Sequence, residues 1–245
     1  MTHDMLDLPG GRRLAFHRTP GRGPGVVFLG GYRSDMTGTK AVFLEAWARA
    51  RGRAFLRFDY TGHGASSGAF EEGALGDWAR DAGEAIAALT EGPQILVGSS
   101  MGGWIALLLA RRIPDRIAAL VGIAAAPDFT QAMWQGLDEA GRARLLADGR
   151  ITEPSAYSDA PYVFTRRLIE DGRANLVLES PLDLPFPVRL LQGSADPEVP
   201  VALALRLLEH ATCPDLRLTI VKDGDHRLST PAQLDLIAAT LDALG

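Results

Sequence analysis

Hydrophobic positions recur along this chain with two different periods. Short apolar runs rich in branched side chains fall at residues 26–29, 54–58, 95–97, 117–123, 188–191 and 216–221. Runs that are apolar at nearly every position read as strands buried on both faces of a parallel sheet. Between them, residues 39–50, 78–89, 101–113, 201–209 and 232–244 space their apolar side chains at the helical period. Pro114 ends the third of these helices. Strand and helix alternate, which predicts an α/β fold with helices on both faces of a mostly parallel sheet. Upstream, residues 5–8 and 13–17 flank the turn cluster Pro9-Gly10-Gly11, so an antiparallel hairpin opens the sheet.

The alternation breaks between residues 128 and 187. Helical segments at 131–147 and 162–171 are joined there by loops containing Pro and Gly. The expected organisation is a body of residues 1–127 and 188–245, with residues 128–187 forming a small helical lid after the sixth strand.

Composition narrows the class. The 245 residues are 47% hydrophobic with a net charge of −5, which suits one globular domain carrying an insertion. Of the 25 basic residues 23 are Arg, but they are scattered among acids, so no nucleic-acid surface is expected. The longest apolar run, residues 117–127, is far shorter than the roughly 18 residues of a membrane span. Residues 1–7 are mixed and acidic, unlike a signal or transit segment, and a cytoplasmic protein is expected. The sole cysteine, Cys213, cannot close an intramolecular disulfide or by itself supply a zinc site.

Two stretches match Gly-x-Ser-x-Gly: Gly98-Ser99-Ser100-Met101-Gly102 and Gly64-Ala65-Ser66-Ser67-Gly68. With 27 glycines and 10 serines the pattern is expected by chance about 0.1 times per chain, so alone it proves little and context decides. A nucleophilic serine needs a strained turn directly between strand and helix, with small neighbours that let the two approach. Ser100 has a strand before it and the apolar helix Gly102-Gly103-Trp104-Ile105-Ala106-Leu107 after it. Ser66 instead follows a Tyr-Thr-Gly-His-Gly turn and precedes a Gly-interrupted acidic stretch, so it reads as a loop serine.

A serine on such an elbow is followed along the chain by its acid and then its histidine, on loops after late strands. Asp196 lies in Gln192-Gly193-Ser194-Ala195-Asp196-Pro197-Glu198, and His226 ends Lys222-Asp223-Gly224-Asp225-His226. Ser100, Asp196 and His226 are therefore the expected catalytic triad. Histidine suits the base because its ordinary pKa near 6.5 lets it take and return a proton near neutrality. His63 comes too early for that order and is read as a structural turn residue, while Asp128 is the competing acid and Asp225, adjoining His226, is poorly placed to orient it. The oxyanion of a tetrahedral intermediate needs two backbone N–H donors, expected from Tyr32 and Met101, with Gly31 next in line. Met133, Trp134, Leu137, Tyr157, Tyr162 and Phe164 are candidates for an acyl pocket, against ordinary packing of the lid onto the body.

These residues resemble the serine α/β-hydrolase superfamily, and within it a branch of palmitoyl-protein thioesterases and acyl-glucuronide esterases with bacterial members. The resemblance rests on Gly31-Tyr32-Arg33-Ser34-Asp35-Met36-Thr37-Gly38-Thr39-Lys40, on Arg57-Phe58-Asp59-Tyr60-Thr61-Gly62, and on Gly92-Pro93-Gln94-Ile95-Leu96-Val97-Gly98-Ser99-Ser100. It continues through Arg189-Leu190-Leu191, Asp196 and Val199-Pro200 to Asp225-His226-Arg227. It implies an α/β-hydrolase fold with an eight-stranded sheet, and an esterase or thioesterase using Ser100, Asp196 and His226 on a small-molecule or protein-linked acyl substrate, without metal or organic cofactor. Two rival readings keep the scaffold: a carbon–carbon bond hydrolase or lactonase with the same triad, and a non-catalytic small-molecule receptor.

Overall fold

The computed structural model describes residues 3–153 and 161–245. Strands β1 (Asp4–Asp7) and β2 (Arg13–Thr19) form the opening hairpin, with Asp4 opposite Phe16 and Asp7 opposite Arg13. The chain then runs β3 (Arg22–Leu29), α1 (Thr39–Ala50), β4 (Arg53–Phe58), α2 (Leu75–Leu89), β5 (Gln94–Ser99), α3 (Met101–Arg112) and β6 (Ile117–Ile123). An insertion follows, comprising α4 (Phe129–Gly136), α5 (Glu139–Asp148), β7 (Arg150–Glu153), β8 (Tyr162–Thr165) and α6 (Arg166–Ala174). The alternation resumes with β9 (Val188–Gly193), α7 (Val201–His210), β10 (Leu216–Val221) and α8 (Pro231–Asp242).

Eight strands form one sheet in the order β1-β2-β4-β3-β5-β6-β9-β10. Pairing is parallel from β4 to β10, and β2 joins β4 antiparallel. Two hydrophobic clusters sandwich the sheet, and the two-residue period of a strand sorts side chains between them. Val26, Phe28, Ile95 and Val97 pack with Leu44 and Trp47 of α1 and Ile237 and Leu241 of α8. Val27, Leu29 and Leu96 pack on the other face with Trp78 of α2 and Trp104 of α3. Burying both faces of β3 and β5 is why these strands read as continuous apolar runs.

The insertion departs from the expected helices in two places. Residues 131–147 are two helices rather than one, because the backbone turns extended at Leu137 and Asp138 starts α5 by accepting the Gly141 N–H at 2.7 Å. Residues 162–165 are a strand paired antiparallel with β7. Their aromatic and β-branched side chains suit a strand, and Thr165 then begins α6 by accepting the Leu168 N–H at 3.1 Å. A strand abutting a helix merges into one apolar pattern that the helical period cannot divide. Among the described residues no helix is long and apolar enough to cross a membrane.

Candidate active site

β5 ends at Ser99 and α3 starts at Met101, so Ser100 alone makes the turn between them. Its φ of 55° and ψ of −118° are values an L-residue rarely adopts, and the surroundings must hold them. The Ser100 N–H donates to the Ile123 carbonyl at 2.9 Å, and its own carbonyl accepts from Gly103 at 2.9 Å and Ala126 at 3.1 Å. Glycines allow the close approach: a Cβ at position 98 would sit 2.3 Å from the Gly102 oxygen, and one at 102 would sit 2.1 Å from the Leu29 oxygen.

The loops after β9 and β10 bring the other two side chains to this elbow. His226 Nε2 lies 3.1 Å from Ser100 Oγ, and His226 Nδ1 lies 2.8 Å from Asp196 Oδ2. Gln192 Nε2 donates to the same Asp196 oxygen at 3.0 Å, and the N–H groups of Glu198 and Val199 donate to Oδ1 at 2.9 Å each. Burial opposes ionisation of Asp196, but the bonds from His226 and the Val199 and Glu198 amides outweigh it and hold the carboxyl below the usual range. The imidazole is thereby fixed with its Nε2 edge toward the serine.

The competing residues are engaged elsewhere. Asp128 accepts the N–H groups of Val177 and Leu178 at 2.8 and 2.9 Å, clamping the turn before α4 to the chain after α6. Asp225 accepts from Leu228 N–H at 2.9 Å. Ser66 Oγ donates to the Asp59 carbonyl at 2.7 Å and accepts from Ala15 N–H at 2.9 Å. His63 is boxed by the rings of Tyr60, Phe70 and Trp78, with centroids 4.9–5.4 Å away.

Gly31, Tyr32 and Met101 line one cavity with Ser100 and His226. A Cβ on Gly31 would lie 3.4 Å from Ser100 Cβ, so the loop after β3 passes directly over the serine. Met101, as the first residue of α3, has an N–H with no acceptor inside its helix. The Arg57–Asp59 segment anchors the passing loop. Asp59 Oδ1 accepts from Met36 N–H at 2.6 Å, while Arg57 donates to the Met36 carbonyl at 2.8 Å and pairs with buried Glu45 at 2.7 Å.

The Tyr32 side chain has a further role that the sequence did not suggest. Burial pushes its phenol up, its hydroxyl donates to the Val163 carbonyl, and its ring stacks on Phe164 with centroids 5.1 Å apart. Arg33 adds a bond to the Pro161 carbonyl at 2.7 Å. β8 is thus docked on the loop that carries the candidate oxyanion donor.

The cavity has a volume of about 960 Å³, within the range of small-molecule sites. Met101, Phe129, Met133, Tyr162, Phe164 and Leu203 give it an apolar wall. Of the acyl-pocket candidates, Met133, Tyr162 and Phe164 line it, Trp134 and Leu137 do not, and Tyr157 lies outside the described residues. Trp134 packs instead beneath the Arg173 guanidinium, 4.3 Å from its ring centre. Arg33, Lys40, Glu198 and Arg227 add charge to the lining. Burial, with Arg227 nearby, lowers the Lys40 ammonium to about 8, and its Nζ donates to the Arg227 carbonyl. Lys40 and Glu198 were not singled out from sequence, although Glu198 sits two residues beyond Asp196 on one short loop. Among the described residues no cluster of three or more His, Cys, Asp or Glu could hold a metal ion.

Comparison with known proteins places the chain in a family. The chain is 38% identical over 232 residues to the mitochondrial palmitoyl-protein thioesterase ABHD10 of Mus musculus, covering 94% of this chain and 78% of the mouse protein. The solved structure of mouse alpha/beta hydrolase domain-containing protein 10 superposes with a TM-score of 0.94 at 36% identity, over 100% of this chain and 98% of the other. A hydrolase from Agrobacterium vitis S4 superposes with the same TM-score of 0.94 at 41% identity, over 100% and 99% of the two chains. The model of the alpha/beta hydrolase family matches residues 26–239. With relatives more than a third identical over nearly its whole length and that model running from β3 through the elbow to both late loops, this hydrolase belongs to the alpha/beta hydrolase family.

Proposed function

We propose that this hydrolase cleaves acyl esters or thioesters through an acyl-enzyme on Ser100. The observation that carries the reading is the unbroken relay from Ser100 Oγ to His226 Nε2 at 3.1 Å and from His226 Nδ1 to Asp196 at 2.8 Å. In the first half-reaction Ser100 attacks the acyl carbonyl while His226 takes its proton, and the imidazolium is stabilised by Asp196. The N–H groups of Tyr32 and Met101 receive the oxyanion. Collapse expels an alcohol or thiol, to which His226 returns the proton. Water then repeats the sequence on the acyl-enzyme and frees the acid.

The apolar wall of Met133, Tyr162, Phe164 and Leu203 supports an acyl group lying toward the insertion, which acts as a lid over the body. The mouse relative's name, palmitoyl-protein thioesterase, supports thioesters as one substrate class. The test is a panel of acyl thioesters, aryl esters and acyl glucuronides of graded chain length, assayed with the wild type and Ser100→Ala, beside fluorophosphonate labelling. Turnover of one ester class with labelling at Ser100 is expected. Absence of labelling in folded protein would favour a receptor on the same scaffold, and turnover of a lactone or a vinylogous diketone alone would change the reaction class.

A further inference from the structure

We propose that Glu198 is a catalytic carboxylate of the second half-reaction, holding the water that hydrolyses the acyl-enzyme; this rests on the acyl-enzyme reading of Ser100. Its Oε2 lies 3.3 Å from His226 Nε2, the same nitrogen that is 3.1 Å from Ser100 Oγ. Two carboxylates therefore flank one imidazole, Asp196 on Nδ1 and Glu198 beside Nε2. The Glu198 carboxyl lines the cavity and its side chain is 35% exposed, whereas that of Asp196 is wholly buried.

The carrier of this carboxylate is fixed to the triad itself. The Glu198 N–H donates to Asp196 Oδ1 at 2.9 Å, and Pro197 and Pro200 restrict the backbone on either side. The turn that aims Asp196 therefore also delivers Glu198 to the opposite edge of the ring.

The two half-reactions make different demands on that edge. With the Nδ1 proton committed to Asp196, Nε2 offers a lone pair, and a carboxylate beside it can only accept a hydrogen bond from a third group. In acylation the serine hydroxyl has a single proton, which Nε2 takes. In deacylation the nucleophile is water, which has two. One goes to Nε2, and the second O–H needs an acceptor if the oxygen lone pair is to be turned toward the acyl carbon.

Glu198 is that acceptor, its partly exposed side chain swinging outward far enough to admit the water. The water oxygen bonds to the acyl carbon, the carbonyl electron pair moves onto the oxyanion, and the transferred proton goes to Nε2. Glu198 stays ionised and gains no proton. Collapse re-forms the carbonyl, breaks the bond to Ser100 Oγ, and sends the Nε2 proton to that oxygen, releasing the carboxylic acid.

The experiment compares wild type, Glu198→Gln and Glu198→Ala with one acyl group presented as an aryl ester and as a thioester. Rapid mixing gives the burst (acylation) rate, and intact-mass measurement follows the decay of the acyl-enzyme. The expected result is a burst and a fluorophosphonate labelling rate within about twofold of wild type, with acyl-enzyme decay slowed about tenfold or more. The acylated protein then accumulates, and kcat becomes equal for the aryl ester and the thioester of the same acid. Gln keeps the shape but replaces one acceptor oxygen and the charge with an NH2 donor, and the unchanged burst and labelling show that Ser100 and His226 remain folded in place. Unchanged decay overturns the proposal. So does a parallel fall of burst, labelling and decay, which would assign Glu198 to His226 rather than to water. A wild type that forms no acyl-enzyme would instead sink the underlying reading, before any variant is compared.

Discussion

The chain contains the same five-residue pattern twice, and the fold puts the two copies to opposite uses. At residues 98–102 the pattern bridges β5 and α3, and at residues 64–68 it lies in the turn region between β4 and α2. Ser100 has an unusual positive φ of 55°, faces a cavity and lies 3.1 Å from an imidazole. Ser66 closes two short bonds to β2 and to the end of β4, at 2.9 and 2.7 Å. The glycines differ in purpose as well. Gly98 and Gly102 are required because helix and strand would collide with any side chain there, whereas Gly64 leaves room for Asp59, whose Oδ2 would lie 2.1 Å from an added Cβ. Motif residues alone do not make an elbow: at residues 98–102 strand and helix approach so closely that only glycines fit on either side of a backbone held at positive φ.

The largest test of that contrast is removal of each hydroxyl. On the proposed mechanism Ser100→Ala lowers turnover by up to about 10⁶, as in other serine triads. Ser66→Ala keeps near-normal turnover and costs about 1–2 kcal/mol of stability, because Ala15 N–H loses its acceptor. Steady-state assays beside urea unfolding decide the matter, and the reverse ranking would break the comparison.

The acids extend the contrast to the late loops. Asp196→Asn should lower kcat by about 10⁴, since an amide cannot hold the imidazole in the same tautomer. Asp128→Asn should leave kcat near normal and lower the unfolding free energy by about 1–3 kcal/mol, because it weakens the clamp on Val177 and Leu178. Normal turnover in Asp196→Asn together with lost turnover in Asp128→Asn would transfer the acid to the turn after β6.

How much of this could be read beforehand follows from the same physics. The sheet was legible because strands buried on both faces leave unbroken apolar runs, as at 95–97 and 117–123. Ser100, Asp196 and His226 were legible as a constellation because chain order on this scaffold dictates their sequence, and the structure brings those three side chains together. The insertion was not, since Leu137 breaks one apparent helix and Tyr162-Val163-Phe164-Thr165 pairs with a strand identifiable only in three dimensions. The Tyr32–Val163 bond joins residues 131 positions apart, and no local pattern encodes it. Glu198 is hidden for a different reason: chain order calls for one carboxylate on this loop, and only the folded turn shows a second beside His226.

The smallest effect belongs to the turn that carries Ser66, and it concerns stability. His63 sits among Tyr60, Phe70 and Trp78, and burial lowers its imidazole to about 4. An unfolded chain binds that proton near pH 6.5, so between about 6.5 and 4 the unfolded state holds more protons than the folded one. Stability contributed by keeping His63 neutral is therefore fully present above pH 6.5 and is lost as pH falls through that window. Phe does not titrate, and it forfeits only the long contact of His63 Nδ1 with the Thr61 carbonyl at 3.4 Å, since His63 Nε2 has no hydrogen-bond partner among the described residues. His63→Phe should accordingly flatten the decline in Tm between pH 6.5 and 4 while changing turnover at pH 7.5 by less than about twofold. Melting curves at half-unit intervals measure this. An unchanged acid slope would show that other groups set it, and a large loss of turnover would mean that this turn shares in the chemistry after all.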